Sequence, residues 1–153
     1  MGSLRLLNLW LHIVAASIWI GSSASLSLLW LPQVRSGVEP ATWKELLVGL
    51  GRRHVRWAWL AIEILLLTGI FNLVSVGIDS GFAFQPPFLR RLIAKLSIVL
   101  VMIGLQLGLS LAWLPSLAKG PSTGPAGRAA RRALIATGVG GAIVVWLAMT
   151  LRG

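Results

Sequence analysis

The chain has 153 residues, 56% hydrophobic and only 12% charged, where an ordinary soluble domain carries about 25% charged residues. With a mean hydropathy of +0.83 it has too little polar surface to cover a globule, so lipid must cover the rest. The absence of cysteine excludes disulfides, thiolate metal sites and thiol catalysis. A formal net charge of +10 does not point to nucleic acid, because the basic residues lie between the apolar segments, as topology determinants and lipid-headgroup partners do.

Four apolar stretches are long enough for a hydrocarbon core, which needs about 20 helical residues. They run over Leu6–Leu31, Trp57–Ile78, Leu92–Leu114 and Ala133–Leu151, and predict an all-α, single-domain, four-helix membrane bundle. The first run exceeds a secretory h-region and has no convincing cleavage site after it, so it is read as a mature helix. Trp10 and Trp30 bracket this span, Trp57 and Trp59 open the second, and Trp113 closes the third, in the manner of an aromatic belt. Trp19 and Trp146 fall mid-span and call for a packing explanation.

After Pro32, the first connection holds Thr42 and Glu45 at capping-box spacing, which predicts a short interfacial helix bearing Trp43, Leu46, Leu47 and Leu50. The second connection, Asp79 to Arg91, contains three of the four phenylalanines, Pro86-Pro87 and Arg90-Arg91. The third, Lys119 to Arg132, is rich in Gly, Pro and Ser and reads as a linker. Lys and Arg divide nine to five between the two sides. Arg35, Lys44, Arg52, Arg53, Arg56, Lys119, Arg128, Arg131 and Arg132 face Arg5, Arg90, Arg91, Lys95 and Arg152. The bias predicts both termini on the outer, periplasmic side of an inner membrane. Small residues recur every fourth position at Ser17, Gly21 and Ser25, at Gly104, Gly108 and Ala112, and at Thr137/Gly141 and Gly138/Ala142. Such rows let helices approach closely, within one bundle or between copies.

Polar groups inside a span are costly and are functional candidates by default. At about 1.5 Å per residue, His12 and Asn72 lie about 9 Å, and Lys95 about 5 Å, below the outer ends of their spans. Glu63 lies in the inner half of the second span, seven residues from Arg56 and on its face, as a structural acid or a proton relay. His54, among Arg52, Arg53 and Arg56, reads as interfacial. Neutral imidazole is a common axial ligand of haem iron. Ala15, Ala16 and Ser17 beside His12 would leave room for a flat macrocycle. Arg90, Arg91 and Lys95 lie near the same membrane face and could hold its carboxylates. Lys95 is also a candidate sixth ligand, or a snorkelling side chain.

The run Leu11-His12-Ile13-Val14-Ala15-Ala16-Ser17-Ile18-Trp19-Ile20-Gly21 resembles the opening helix of the copper resistance D (CopD-like) membrane proteins. The likeness continues through Arg52-Arg53-His54-Val55-Arg56-Trp57-Ala58-Trp59 and Leu67-Thr68-Gly69-Ile70-Phe71-Asn72, then through Lys95, Pro115 and the last span up to Arg152-Gly153. With the more distantly similar HemJ-type protoporphyrinogen oxidases, this resemblance implies a four-helix unit. In those relatives a first-helix histidine, matching His12, is associated with haem b, and an early lysine of the third helix matches Lys95. Many CopD-like chains carry a further histidine late in the third helix, where this chain has Leu109, with Gln106 a turn earlier.

Three functions follow as expectations. The first is a haem-b-binding redox protein or subunit of an electron-transfer complex, with His12 as axial ligand, Lys95 as sixth ligand or propionate partner, and Arg90 or Arg91 as clamp beside Asn72. The second is copper transport or tolerance, for which the chain offers Met1, Met102, Met149 and two separated histidines. The third is a cofactor-free accessory subunit. In each case the partners expected are the lipid bilayer and either further copies or a larger membrane complex.

Overall fold

The computed structural model describes residues 2–29 and 37–150. Trp30, Pro32, Arg35 and the end of the chain from Leu151, including Arg152 and Gly153, lie outside the described residues. Four helices long and apolar enough to cross a membrane make up the fold: α1 (Gly2–Leu28), α2 (Pro40–Asp79), α3 (Pro86–Lys119) and α4 (Pro125–Thr150). Among the described residues there is no strand. Successive helices run in opposite directions, so Gly2, Asp79, Pro86 and Thr150 share one end, called here the terminal end.

Helix α2 spans 40 residues, about 60 Å at helical rise and twice a hydrocarbon core. The expected interfacial helix is therefore not a separate element: it forms the first turns of α2. Its cap is also earlier than the Thr42/Glu45 spacing suggests. The Glu39 carboxylate accepts from the N–H groups of Ala41 and Thr42 at 3.0 Å each, and Pro40 sits at the first turn, where a missing N–H costs nothing. These N–H donors hold the Glu39 carboxyl below its ordinary range. Continuity follows from one buried stripe, Trp43, Leu47, Gly51 and His54, which faces the bundle while Arg52, Arg53 and Arg56 face out. Gly51 is small by necessity, because a Cβ there would lie 2.7 Å from Leu114 Cδ1 of α3.

At its far end α2 stops in a left-handed turn. Gly81 (φ 58°) and Phe82 (φ 60°) reverse the chain, the Phe82 N–H donates to the Gly77 carbonyl at 2.7 Å, and the Phe82 ring lies over Gly77. Phe84 stacks on Phe88 with centroids 5.3 Å apart, so the second connection is an aromatic cap on the terminal end. In α3 a π-helical turn covers Leu109–Trp113, immediately before Pro115. Proline removes one N–H and crowds the carbonyl four residues earlier, and the wider turn accommodates both effects. The Trp113 ring folds back over Gly108, where a Cβ would meet it at 2.9 Å.

Helix α1 packs along α2 and against α4, and α3 packs mainly on α4. Helices α2 and α3 meet chiefly away from the terminal end, through the π turn and Leu114–Lys119. The small residues of α4 serve this packing. A Cβ on Gly141 would lie 2.6 Å from the Ile20 side chain, and one on Gly140 would lie 3.1 Å from Met102 Sδ. In contrast, Gly21 and Gly104 have no heavy atom within 4 Å of an added Cβ, so those two positions face outward. The exterior is aliphatic, as at Leu67 and Leu111, which are 70% and 75% exposed. Trp10 and Trp57 lie on it, whereas Trp59 and Trp113 of the expected belt are half-buried, against Ser110 and Gly108. Trp146 is 63% exposed and has no packing role, whereas Trp19 is buried at 2%.

The contrast between inward and outward glycines is testable. Gly141→Leu should cost about 1–3 kcal/mol in reversible unfolding from mixed micelles, because Ile20 occupies the space. Gly21→Leu should stay within about 0.5 kcal/mol of the parent protein.

Candidate functional site between the first two helices

The polar residues of α1 and α2 meet along one seam. Residues 5, 8 and 12 of α1 recur at three- and four-residue spacing and so share a helix face. Residues 79, 72 and 68 of α2, at seven- and four-residue spacing, likewise share a face and run in the opposite direction. At the terminal end Arg5 forms a two-pronged ion pair with Asp79, at 2.7 and 2.9 Å. One level deeper, the Asn8 amide donates to Asn72 Oδ1 at 2.9 Å and to the Thr68 carbonyl at 3.1 Å. Deeper still, His12 Nδ1 lies 2.7 Å from Thr68 Oγ1.

This last contact fixes the histidine's tautomer. The Thr68 hydroxyl spends its single proton on the Ile64 carbonyl, 2.6 Å away, so toward His12 it can only accept. Nδ1 therefore carries the ring proton and Nε2 presents a lone pair. Gly69 makes room for the ring: a Cβ there would stand 3.6 Å from His12 Cε1. Lys95, half-buried on α3, lies close enough to act on the ring electrostatically. The structure thus joins His12 to Asn72 through Asn8 and Thr68 and sets Lys95 nearby. Arg90 and Arg91 are exposed on the first turns of α3, at the same end.

A second polar seat lies further along the seam. His54 is buried within the bundle at 5%, because its stripe turns inward while the neighbouring arginines turn out. Its Nδ1 lies 3.0 Å from Ser22 Oγ, whose proton goes to the Trp19 carbonyl at 3.1 Å, so His54 has the same tautomer as His12. Gln106 of α3, buried at 2%, stands against His54, and its Oε1 accepts from the Trp19 indole at 3.4 Å. Both His54 Nε2 and the Gln106 amide nitrogen are buried, and among the described residues neither meets a hydrogen-bond partner of good geometry. Ser110, in the π turn, donates to the Gln106 carbonyl at 2.7 Å and accepts from the Trp59 indole at 3.1 Å. The irregular backbone of α3 therefore adjoins the polar seat, as π turns at functional positions commonly do.

Glu63 belongs to neither seat. It is exposed on the outward face of α2 and forms no hydrogen bond or ion pair with another described residue. Among the described residues no group of three or more His, Asp or Glu side chains is placed to hold a metal ion. Sequence reasoning missed Asn8, Thr68, Ser22 and Gln106. The first two carried a signal, the spacing of four residues from Asn8 to His12 and from Thr68 to Asn72.

A family model described as Copper resistance protein D matches residues 48–151, which takes in most of α2 and all of α3 and α4. His54, Asn72, Arg90, Arg91, Lys95 and Gln106 fall inside the match, and His12 falls before it. No curated protein and no solved structure matches the chain significantly.

The tautomer argument depends on Thr68, which gives a direct test. Thr68→Val keeps the shape but leaves the His12 Nδ1–H without an acceptor. The expected loss is about 0.6–1.7 kcal/mol of stability, the range of intramembrane side-chain hydrogen bonds, and Thr68→Ser should recover most of it. Reversible unfolding in mixed micelles measures both.

Proposed function

The chain belongs to the copper resistance protein D family, and on that premise we propose that it is a copper-handling protein of the cytoplasmic membrane, with both termini on the outer side. The observation that carries the reading is the His12–Thr68 hydrogen bond, which leaves Nε2 of His12 as a ligating lone pair held in one orientation. Imidazole nitrogen is a favourable copper ligand, and a hydrogen-bonded Nδ1–H is the usual outer support of a metal-bound histidine. Lys95 supplies a second nitrogen near the ring once copper displaces its proton. His54 offers a further imidazole lone pair deeper in the bundle. The copper ion is cargo here, received at the terminal end, where Arg5–Asp79 and Asn8–Asn72 fasten α1 to α2 around the site.

A second reading rests on the same tautomer. His12 would hold the iron of haem b, and the exposed Arg90 and Arg91 would hold its carboxylates beside Asn72. Lys95 would add a second nitrogen or pair with a carboxylate. When bound, the haem would supply one-electron chemistry, and the protein would carry electrons or serve a larger complex. The donor set fits one axial ligand firmly and the second only through Lys95, so copper handling is preferred.

Metal analysis with an oxidised-minus-reduced optical spectrum of the purified protein decides between the two. The copper reading predicts bound copper in the parent protein, lost at least tenfold in affinity in His12→Ala, and lower copper tolerance in cells bearing that variant. A Soret band that His12→Ala abolishes would favour haem. Unchanged copper affinity in His12→Ala would contradict the role given to His12.

A further inference from the structure

The outward face of α2 carries a feature that neither seat uses. Arg53, Arg56, Trp57 and Leu60 recur at three- and four-residue spacing and so share one side of the helix. They line a groove of about 270 Å³. All four side chains are exposed, with Trp57 at 59% and Leu60 at 45%. Neither arginine forms a hydrogen bond or ion pair with another described residue. The nearest acid on the same face is Glu63, two helical turns from Arg56 and about 10 Å along the axis. Two guanidinium groups thus stand side by side at the edge of a membrane span without a counter-charge.

From this arrangement we propose that Arg53, Arg56, Trp57 and Leu60 form a binding site for an anionic phospholipid. The order of the lining residues matches the order of groups in such a lipid. Guanidinium forks take phosphate oxygens two at a time. An indole ring suits the ester and glycerol level. Leu60 and, two turns further on the same side, the exposed Leu67 give the acyl chain an aliphatic track that passes beside Glu63. That track selects a lipid over a free phosphate, which would gain nothing from it. Binding has a structural consequence. His54 lies in the same turn as Arg53 and Arg56 but faces inward to Ser22. A lipid clamped on the outer face therefore fixes the rotation of the turn that presents His54 to the bundle core.

The test compares binding of cardiolipin and phosphatidylcholine to the full chain in neutral detergent, read by native mass spectrometry and by thermal stabilisation. Arg53→Gln/Arg56→Gln should weaken cardiolipin binding about thirtyfold, at about 1 kcal/mol per arginine and 1.4 kcal/mol per tenfold. Arg52→Gln changes a neighbouring exposed arginine outside the groove and should change affinity less than about threefold on the same scale. Circular dichroism and gel filtration of each variant verify that it is folded. Equal binding of phosphatidylcholine, equal loss in Arg52→Gln, or undiminished cardiolipin binding in the folded double variant would each overturn the site. Equal stabilisation by inorganic phosphate at matched ionic strength would overturn the assignment to lipid.

Discussion

In hydrocarbon a polar atom finds no water, so a donor or acceptor that enters the membrane without a partner from the protein is costly. This constraint organises the bundle. Helix α1 brings Arg5, Asn8, His12, Trp19, Ser22 and Ser23 into the membrane, and each answers to a named group. Asp79, Asn72, Thr68, Gln106 and His54 serve five of them, and the hydroxyl of Ser23 turns back to the Trp19 carbonyl at 2.8 Å. The seam between α1 and α2 is therefore the specific contact of the fold. The aliphatic surfaces around it are interchangeable with lipid and carry no such specificity.

The same constraint determines what the two histidines offer. A hydroxyl on a membrane helix returns its proton to the backbone one turn earlier. Thr68 and Ser22 both do so, and each can then only accept from the imidazole beside it. The helix backbone thereby sets the tautomer, and both rings present Nε2 as a lone pair. At His12 the ring stands near Lys95. At His54 it is enclosed beside the Gln106 amide, with the π turn of α3 next to it. A bundle otherwise sparing in polar atoms thus holds two imidazole lone pairs at two depths, on opposite partners of one helix pair.

The sequence was informative where hydropathy alone decides the outcome. The four spans emerge from apolar run length, and His12, Asn72 and Lys95 stand out because polar residues inside such runs are rare. What it concealed was rotation about the helix axis. Arg52, Arg53 and Arg56 looked like the end of a loop, yet all three face outward from a helix whose opposite stripe, Trp43 to His54, continues unbroken. For the same reason the burial of His54 against α1 and α3 was not evident, and Glu63 seemed a candidate buried acid although it faces out. The helix start was misplaced because Thr42 and Glu45 match a common cap, while Pro40 had already fixed the first turn with Glu39 before it. Gln106 stood out only as a polar residue a turn from Leu109, and its partners became legible only when α3 brought it against Trp19 and His54.

The central claim is that both imidazoles carry their proton on Nδ1 and present Nε2 bare. Solid-state nitrogen-15 spectra of the histidine-labelled protein in lipid bilayers measure this directly. The account predicts, for His12 and His54 alike, a protonated Nδ1 resonance and an unprotonated Nε2 resonance, with the His12 pattern altered in Thr68→Val. A protonated Nε2 on His12 would contradict the account, because the nitrogen assigned to ligand binding would then have no lone pair to give.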